Sequence, residues 1–265
     1  MATQIVGVML VHNEDVHVEQ AIRNVIGFCD RLHVADHMSS DGTWEIVRAQ
    51  AREHDHVEAV RVRHTAESHA LVEGYAGTDS WVFGVDGDEL YDGAGLARFR
   101  EQLRNGAFQE FFSVKSNVLN CVQLERAEQV ASGYLSPPSR SITKLFNCAA
   151  FESWTRCYRQ YMHDGEIAFR PGYDRETIVH LGERHGWDES PLRCLHVCFL
   201  RRSSLERDGA GASGRPSPIE LGGKRRRRLG RFLPARPSGS EWKQEKYRRG
   251  ELVTIDASPF LDGTR

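Results

Sequence analysis

Trp81-Val82-Phe83-Gly84-Val85-Asp86-Gly87-Asp88-Glu89 is a short apolar run that stops abruptly in acid. The run is continuous rather than alternating, so it reads as a strand buried on both faces. Its acidic tail then stands at the strand's carboxyl end, where open α/β sheets bind their ligands. Asp86 and Asp88 around Gly87 form a hard-oxygen site suited to Mg2+ or Mn2+ carrying a diphosphate. An Asp-x-Asp on its own is more often a solvated acidic turn. The residues before it shift that balance.

Working back from this strand, Ile5-Val6-Gly7-Val8-Met9-Leu10-Val11 is a first buried strand, ended by His12-Asn13-Glu14-Asp15. Val18, Ile22, Val25 and Ile26 then recur at helical spacing and predict a helix over 16–28. Leu32-His33-Val34-Ala35 is a second strand ending in Asp36. A loop of turn and cap residues follows over 37–43, and Asp41 or Thr43 is placed to cap a helix over 44–53. Residues 57–62 form a third strand, and a helical stretch over 66–75 leads to the 81–85 strand. The order βαβαβαβ predicts an α/β fold with a parallel sheet and right-handed crossovers.

Three motifs now stand in order, each after a strand: Val11-His12-Asn13-Glu14, Asp36-His37-Met38-Ser39-Ser40-Asp41-Gly42-Thr43, and Val85-Asp86-Gly87-Asp88-Glu89. Over residues 4–105 this pattern resembles family 2 glycosyltransferases of the GT-A fold, and the resemblance thins beyond. It implies a Rossmann-like, mostly parallel sheet flanked by helices, with a C-terminal extension. It also implies transfer of a sugar from a nucleotide-sugar donor to a hydroxyl acceptor. Residue by residue, it implies that Asp36 reads the base, Asp86 holds the ribose hydroxyls and Asp88 ligates Mn2+ or Mg2+. Asp41 is more often structural in such an Asp-Gly-Thr turn, and Asn13 and Glu14 read as positioning the first loop. Carboxylates at neighbouring strand ends suit this chemistry independently, because they converge on one crevice. One departure concerns the helix before the fourth strand, which lacks the Arg-Asn pair of many relatives. Arg61, Arg63 or His64 would then serve the phosphates.

Further along, residues 96–104 predict a helix, and 111–119 and 142–146 predict strands. The stretch 142–146 resembles the family's Arg-Leu-Phe strand, after which relatives often carry His-Glu. His163-Asp164 is the nearest match, which makes Asp164 the expected catalytic base. Glu152 and Glu166 are its rivals, and an ordinary Asp-Gly turn explains Asp164 equally well. Leu192 to Leu200 is an apolar strand with His196 at its centre. GT-A enzymes frequently complete a metal shell with a late histidine, so His196 is the candidate ligand ahead of His180 and His185. A lone histidine in an apolar run is more often a satisfied core residue.

From Arg201 the composition changes to a Gly/Ser/Pro-rich link and a basic run, Lys224-Arg225-Arg226-Arg227-Arg228. That run reads as a solvated face, or as a patch for a diphosphate, an anionic acceptor or a membrane surface. A helical segment at 242–247, a strand at 252–255 and an apolar Pro259-Phe260-Leu261 close the chain. The expected organisation is a donor half (1–105), an acceptor half (106–202) and an extension (203–265).

The bulk numbers exclude several classes. The chain has 265 residues, a net charge of −2 and 40% hydrophobic residues. No strong global field attracts nucleic acid, and the one basic run lacks interleaved aromatics. No run approaches the ~20 apolar residues of a membrane helix, and no signal-peptide layout opens the chain, so a cytoplasmic location is expected. Six scattered cysteines without Cys-x-x-Cys suit reduced core thiols, with Cys194, His196 and Cys198 as a weak zinc alternative. No nucleophile elbow occurs. A nucleotidyltransferase is the nearest rival enzyme, but the loop after the first strand has no glycine. A non-catalytic nucleotide- or sugar-binding module would have little use for the costly triplet Asp86, Asp88 and Glu89.

Overall fold

The computed structural model describes residues 3–158, 162, 164–206 and 245–261. Its first sheet is built from β1 (Gln4–Val11), β2 (Arg31–Asp36), β3 (Val57–Arg61) and β4 (Ser80–Asp86). These strands lie parallel in the order β4-β1-β2-β3. Residue alternation explains the core on either side. Ile5, Met9 and Val11 face one apolar cluster, and Val6, Val8 and Leu10 face the other. Both faces are covered, which is why β1 carries no polar alternation.

Helices α1 (Val18–Ile26), α2 (Thr43–Glu53) and α4 (Gly93–Arg104) follow their strands. Asp92 caps α4 through the Gly95 amide at 2.9 Å. The predicted helix over 66–75 is instead one short turn, α3 (Glu67–Ala70), and a separate 3-10 turn at Glu73–Tyr75. Gly74 disfavours a continuous helix there. The Glu67 carboxylate meanwhile accepts the amides of Arg63 and His64.

Beyond β4 the sheet continues through β9 (Thr143–Asn147), β6 (Ser113–Lys115) and β12 (Ile178–His180), in the order β12-β6-β9-β4. Only β9 runs against its neighbours. The predicted 111–119 strand is two strands, because the chain leaves β6 and enters β7 (Asn117–Glu125) in another sheet. That second sheet has the order β14-β8-β7-β13-β5. Its members are β5 (Glu89–Tyr91), β8 (Val130–Leu135), β13 (Arg193–His196) and β14 (Leu252–Asp256). The expected strand over 192–200 is therefore only its first half. A separate hairpin, β10 (Phe151–Thr155) with β11 (Glu166–Phe169), helps to close the cluster around Phe112, Phe146 and Trp154. Two short helices complete the description, α5 (Leu181–Arg184) and α6 (Ser258–Leu261). The architecture is thus mixed α/β, with a large mostly parallel sheet flanked by helices.

Burial pushes the thiols of Cys29, Cys121 and Cys148 up to about 12. All six cysteines are free thiols.

Candidate functional site: acidic strand ends

The three motif strands end at one level. In the register of the first sheet, Leu10 pairs with Asp86 and Val11 pairs with Asp36. Strand neighbours lie ~4.8 Å apart, so the loops after β1, β2 and β4 open side by side. Val11, Asn13, Glu14, Asp36, Asp41, Asp86, Gly87 and Asp88 are therefore brought to one edge of the sheet.

The first two loops hold each other. Asn13 adopts a left-handed backbone (φ 52°), which asparagine tolerates. Its amide donates to Ser39 Oγ at 2.9 Å, and its side-chain oxygen accepts the Ser40 amide at 2.7 Å. The Glu14 amide donates to Thr43 Oγ1 at 2.7 Å, and the Val11 carbonyl accepts the His37 amide at 2.8 Å. Asp41 Oδ1 accepts the Thr43 amide at 3.0 Å in a tight turn just ahead of α2; the N-cap is Gly42, so neither Asp41 nor Thr43 caps the helix as expected. The other Asp41 oxygen accepts Ser203 Oγ at 2.6 Å. Burial raises its pKa, but these bonds outweigh it and the net shift is downward.

Asp36 is fully buried. It accepts the Ser39 amide at 3.2 Å and the Arg61 Nε–H at 3.0 Å. Arg61 lies over the Trp44 ring at 4.9 Å. This arginine is thus tied to Asp36, and Arg63 and His64 stand in the turn that Glu67 fastens.

The acidic turn after β4 reads differently for each of its members. Glu89 belongs to β5 and is fully buried. Its carboxylate accepts the Tyr91 hydroxyl and the Asp86 amide, both at 3.2 Å, and so shapes the turn from behind. Gly87 is closely packed: a Cβ there would stand 2.3 Å from Glu14 Oε2 and 3.0 Å from Val11 Cγ1, so the Glu14 side chain would have to move. Asp88 is 3% exposed. Its Oδ2 accepts Arg202 Nη1–H at 2.7 Å, and its Oδ1 faces His196 Nε2 at 3.9 Å.

His196 arrives from β13 with its tautomer set. Asn120 Nδ2 donates to Ser139 Oγ at 2.7 Å and to the Arg140 carbonyl at 3.1 Å. Asn120 Oδ1 must therefore accept, and His196 Nδ1–H donates to it at 3.0 Å. Nε2 faces Asp88 and offers a lone pair whenever the ring is neutral. A single divalent ion ligated at ~2.1 Å on each side can close a span of this size. The donor chemistry of Asp88 and His196 thus fits Mn2+ or Mg2+ as two ligands, with a bound diphosphate supplying more. Among the described residues, no three His, Cys, Asp or Glu side chains converge on a metal position. Cys194, His196 and Cys198 accordingly form no zinc cluster there. His180 lies on β12, at the far edge of the first sheet.

Sequence reasoning missed Arg202. It is 6% exposed, and its Nη1 also stands 3.4 Å from Glu14 Oε1. A strap over 201–206 holds it in place. The Arg202 carbonyl accepts the Val16 amide at 3.1 Å, and the Ser204 amide donates to Asp15 Oδ1 at 2.7 Å. Beneath the strap, His17 donates Nε2–H to the Arg201 carbonyl at 3.0 Å and accepts Arg126 Nη2–H at 3.1 Å. Burial, with Arg126 beside it, pulls the pKa of His17 down to about 4. No signal in the sequence distinguishes Arg202 from its neighbour Arg201. Asn120 is equally silent, standing inside an apolar run.

Asp164 belongs to the link between β10 and β11, not to the three motif loops. Its carbonyl accepts Trp154 Nε1–H at 2.6 Å and its Oδ1 accepts the Tyr158 amide at 3.1 Å. Glu166 pairs with Arg156 at 2.7 Å, both side chains being 66% exposed. His163, Trp242 and the basic run Lys224–Arg228 fall outside the described residues. No helix among the described residues is long and apolar enough to cross a membrane.

Comparison with known proteins gives little beyond this geometry. No family model matches the chain, and no curated protein does. Among solved structures, it is similar to the mannosyltransferase PcManGT from Pyrobaculum calidifontis in complex with GDP-Man and Mn2+. The match has a TM-score of 0.35 and 19% identity, over 44% of this chain and 36% of that one. It is also similar to glucosyl-3-phosphoglycerate synthase from Mycobacterium tuberculosis in complex with phosphoglyceric acid, with a TM-score of 0.33 and 21% identity, over 43% of this chain and 44% of that one. Less than half of either solved chain is spanned, and likeness at this level says nothing of activity.

Proposed function

We propose that this chain is a GT-A glycosyltransferase of the family 2 type. It moves a sugar from a nucleotide-sugar donor to a hydroxyl acceptor such as a glycan, a glycolipid or a natural product. The observation that carries this reading is the common level of Asp36 and Asp86 on strands flanking β1, with Asp88 directly beyond. A nucleoside diphosphate offers a base, a ribose diol and two phosphates in line, and the ends of β2 and β4 offer partners in that order, with the β1 loop between them.

In this reading Asp36 accepts from the base, Asp86 takes the ribose hydroxyls, and the loop of Val11, Asn13 and Glu14 shapes the wall between them. Asp88 and His196 would hold Mn2+ or Mg2+, which supplies positive charge against the diphosphate when bound. Gly87 lets the β4 turn close on Glu14. Asp164 is the assigned base. It takes the proton of the acceptor hydroxyl as that oxygen attacks the sugar carbon. The bond from carbon to diphosphate breaks on the opposite face, the diphosphate leaves with the electron pair, and configuration inverts. Residues 1–105 would serve the donor and 106–202 the acceptor, with Lys224–Arg228 as an anionic contact.

The test is a thermal-shift panel of UDP, GDP, dTDP and CDP, each with and without Mn2+. Wild type is compared with Asp88→Asn, each against its own unliganded melting temperature. A ligand that binds only the folded state must raise that temperature. One nucleotide should shift wild type in the presence of metal and leave the variant unmoved. No shift with any of them at millimolar concentration would overturn the reading in favour of a different ligand class.

A further inference from the structure

We propose that Arg202 is a built-in cation that competes with a divalent metal for Asp88, so that metal occupies this site only together with a diphosphate. The proposal deepens the donor-site reading and rests on it for the identity of the anion. The competition itself rests on Arg202 alone.

The geometry starts from burial. Asp88 is 3% exposed, Glu14 7% and Arg202 6%. Two carboxylates this close and this buried require a positive partner. The guanidinium supplies it, at 2.7 Å from Asp88 Oδ2 and 3.4 Å from Glu14 Oε1. Burial alone would ease loss of its proton, but Asp88 and then Glu14 drive its pKa upward instead. Arg202 therefore stays charged at every working pH.

His196 Nδ1–H donates to Asn120, which leaves Nε2 facing Asp88. Arg202 is a cation that Asp88 and Glu14 share. A divalent ion on Asp88 Oδ1 would share one carboxylate with the guanidinium. Its attraction to Asp88 would be divided, and its repulsion from Arg202 would act across a water-poor gap.

Arg202 is not easily displaced. Its amide donates to Glu206 Oε2 at 3.2 Å, its carbonyl accepts the Val16 amide, and the next two residues are fastened to Asp41 and Asp15. The backbone is pinned on both sides, so the guanidinium remains while the ion comes and goes. A diphosphate resolves the conflict, because its negative oxygens compensate both cations at once. Arg202 Nε–H is buried without an acceptor among the described residues, which leave that arm of the fork open.

The experiment titrates Mn2+ alone into full-length protein, with no nucleotide present, and reads free Mn2+ by electron paramagnetic resonance. Wild type and Arg202→Lys, which keeps the charge, should bind weakly, with Kd above ~1 mM. Arg202→Gln should bind at least ~10-fold more tightly, because the same acidic pocket now lacks its internal cation. Adding Asp88→Asn to Arg202→Gln should abolish that gain. If Arg202→Gln fails to fold by circular dichroism, the charge-balanced double variant Arg202→Gln/Glu14→Gln takes its place with the same expectation. Tight Mn2+ binding by wild type, or binding by the charge-removed variant no tighter than wild type, overturns the proposal. Neither result depends on a nucleotide, so a failed nucleotide panel would sink the donor reading and leave this one standing.

Discussion

Two buried aspartates end adjacent parts of this sheet edge, and each is held by an arginine. Asp36 is paired with Arg61, whose side chain is 38% exposed and lies over Trp44. Asp88 is paired with Arg202, whose side chain is 7% exposed and lies under a strap of backbone bonds. The distances differ by little, 3.0 Å against 2.7 Å. The surroundings differ greatly. Both carboxylates are buried, so the difference lies in the arginines: Arg61 reaches solvent, and Arg202 does not. Similar ion pairs at similar distances therefore make one contact open to water on its arginine side and one closed on both.

The largest expected effect breaks the comparison directly. Arg202→Met should lower stability by about 3–5 kcal/mol in urea unfolding, since it removes a buried cation shared by two buried carboxylates, while Arg61→Met should cost less, about 1–3 kcal/mol, because Asp36 keeps the Ser39 amide. Equal losses would mean that burial does not separate the pairs. Added Mn2+ should recover part of the first loss and none of the second.

Acid should probe the same strap from below. The folded-state pKa of His17 lies near 4, under its ordinary 6.5, so the unfolded chain takes up the proton more readily. Stability is then complete above pH 6.5 and falls as pH drops toward 4, by ~3 kcal/mol from this residue. Denaturation midpoints measured across that window should slope less in His17→Gln. A parallel slope in the variant would remove His17 as the cause.

Gly87→Ala sharpens the contrast more gently. The new Cβ must displace Glu14 Oε2 from 2.3 Å, which moves one acid of the Arg202 pair and neither atom of the Asp36 pair. A loss of about 1–3 kcal/mol is expected, with the nucleotide-induced melting shift weakened as well. The smallest stability effect belongs to Asp164→Asn, within ~0.5 kcal/mol, since the turn keeps its backbone acceptor for Trp154. Sugar transfer, measured by release of nucleoside diphosphate, should nonetheless collapse. Retained transfer would pass the role of base to Glu152 or Glu166.

The contrast between the two aspartates also marks where sequence stops being informative. Strands β1, β2 and β4 were legible because burial on both faces writes itself as an unbroken apolar run. The loops after them were legible because acids, Asn13 and Gly87 stand at fixed offsets from strand ends. Residues 203–204 fasten those loops from far away in the chain, and Arg202 acquires its meaning only through those long-range bonds. The second sheet was obscure for a related reason. Its β5 has three residues and is placed by pairing with β13, about a hundred positions later. Strands of that length carry no periodicity to read. The single long helix expected over 66–75 is broken at Leu71 and Val72, which join the second core cluster between the two short turns.

The final described segment has a practical consequence. β14 covers the outer edge of β8, and behind it Phe260 is fully buried, stacked on Trp187 at 5.7 Å, with its carbonyl bonded to Asn24 at 2.8 Å. A recombinant version ended at residue 206 would bare a row of unsatisfied amides and carbonyls on β8 and open a hole beside α1 and α4. Such an edge invites strand addition from a second molecule. The shortened protein should therefore be lost to inclusion bodies, although every proposed donor-site residue would still be present in it.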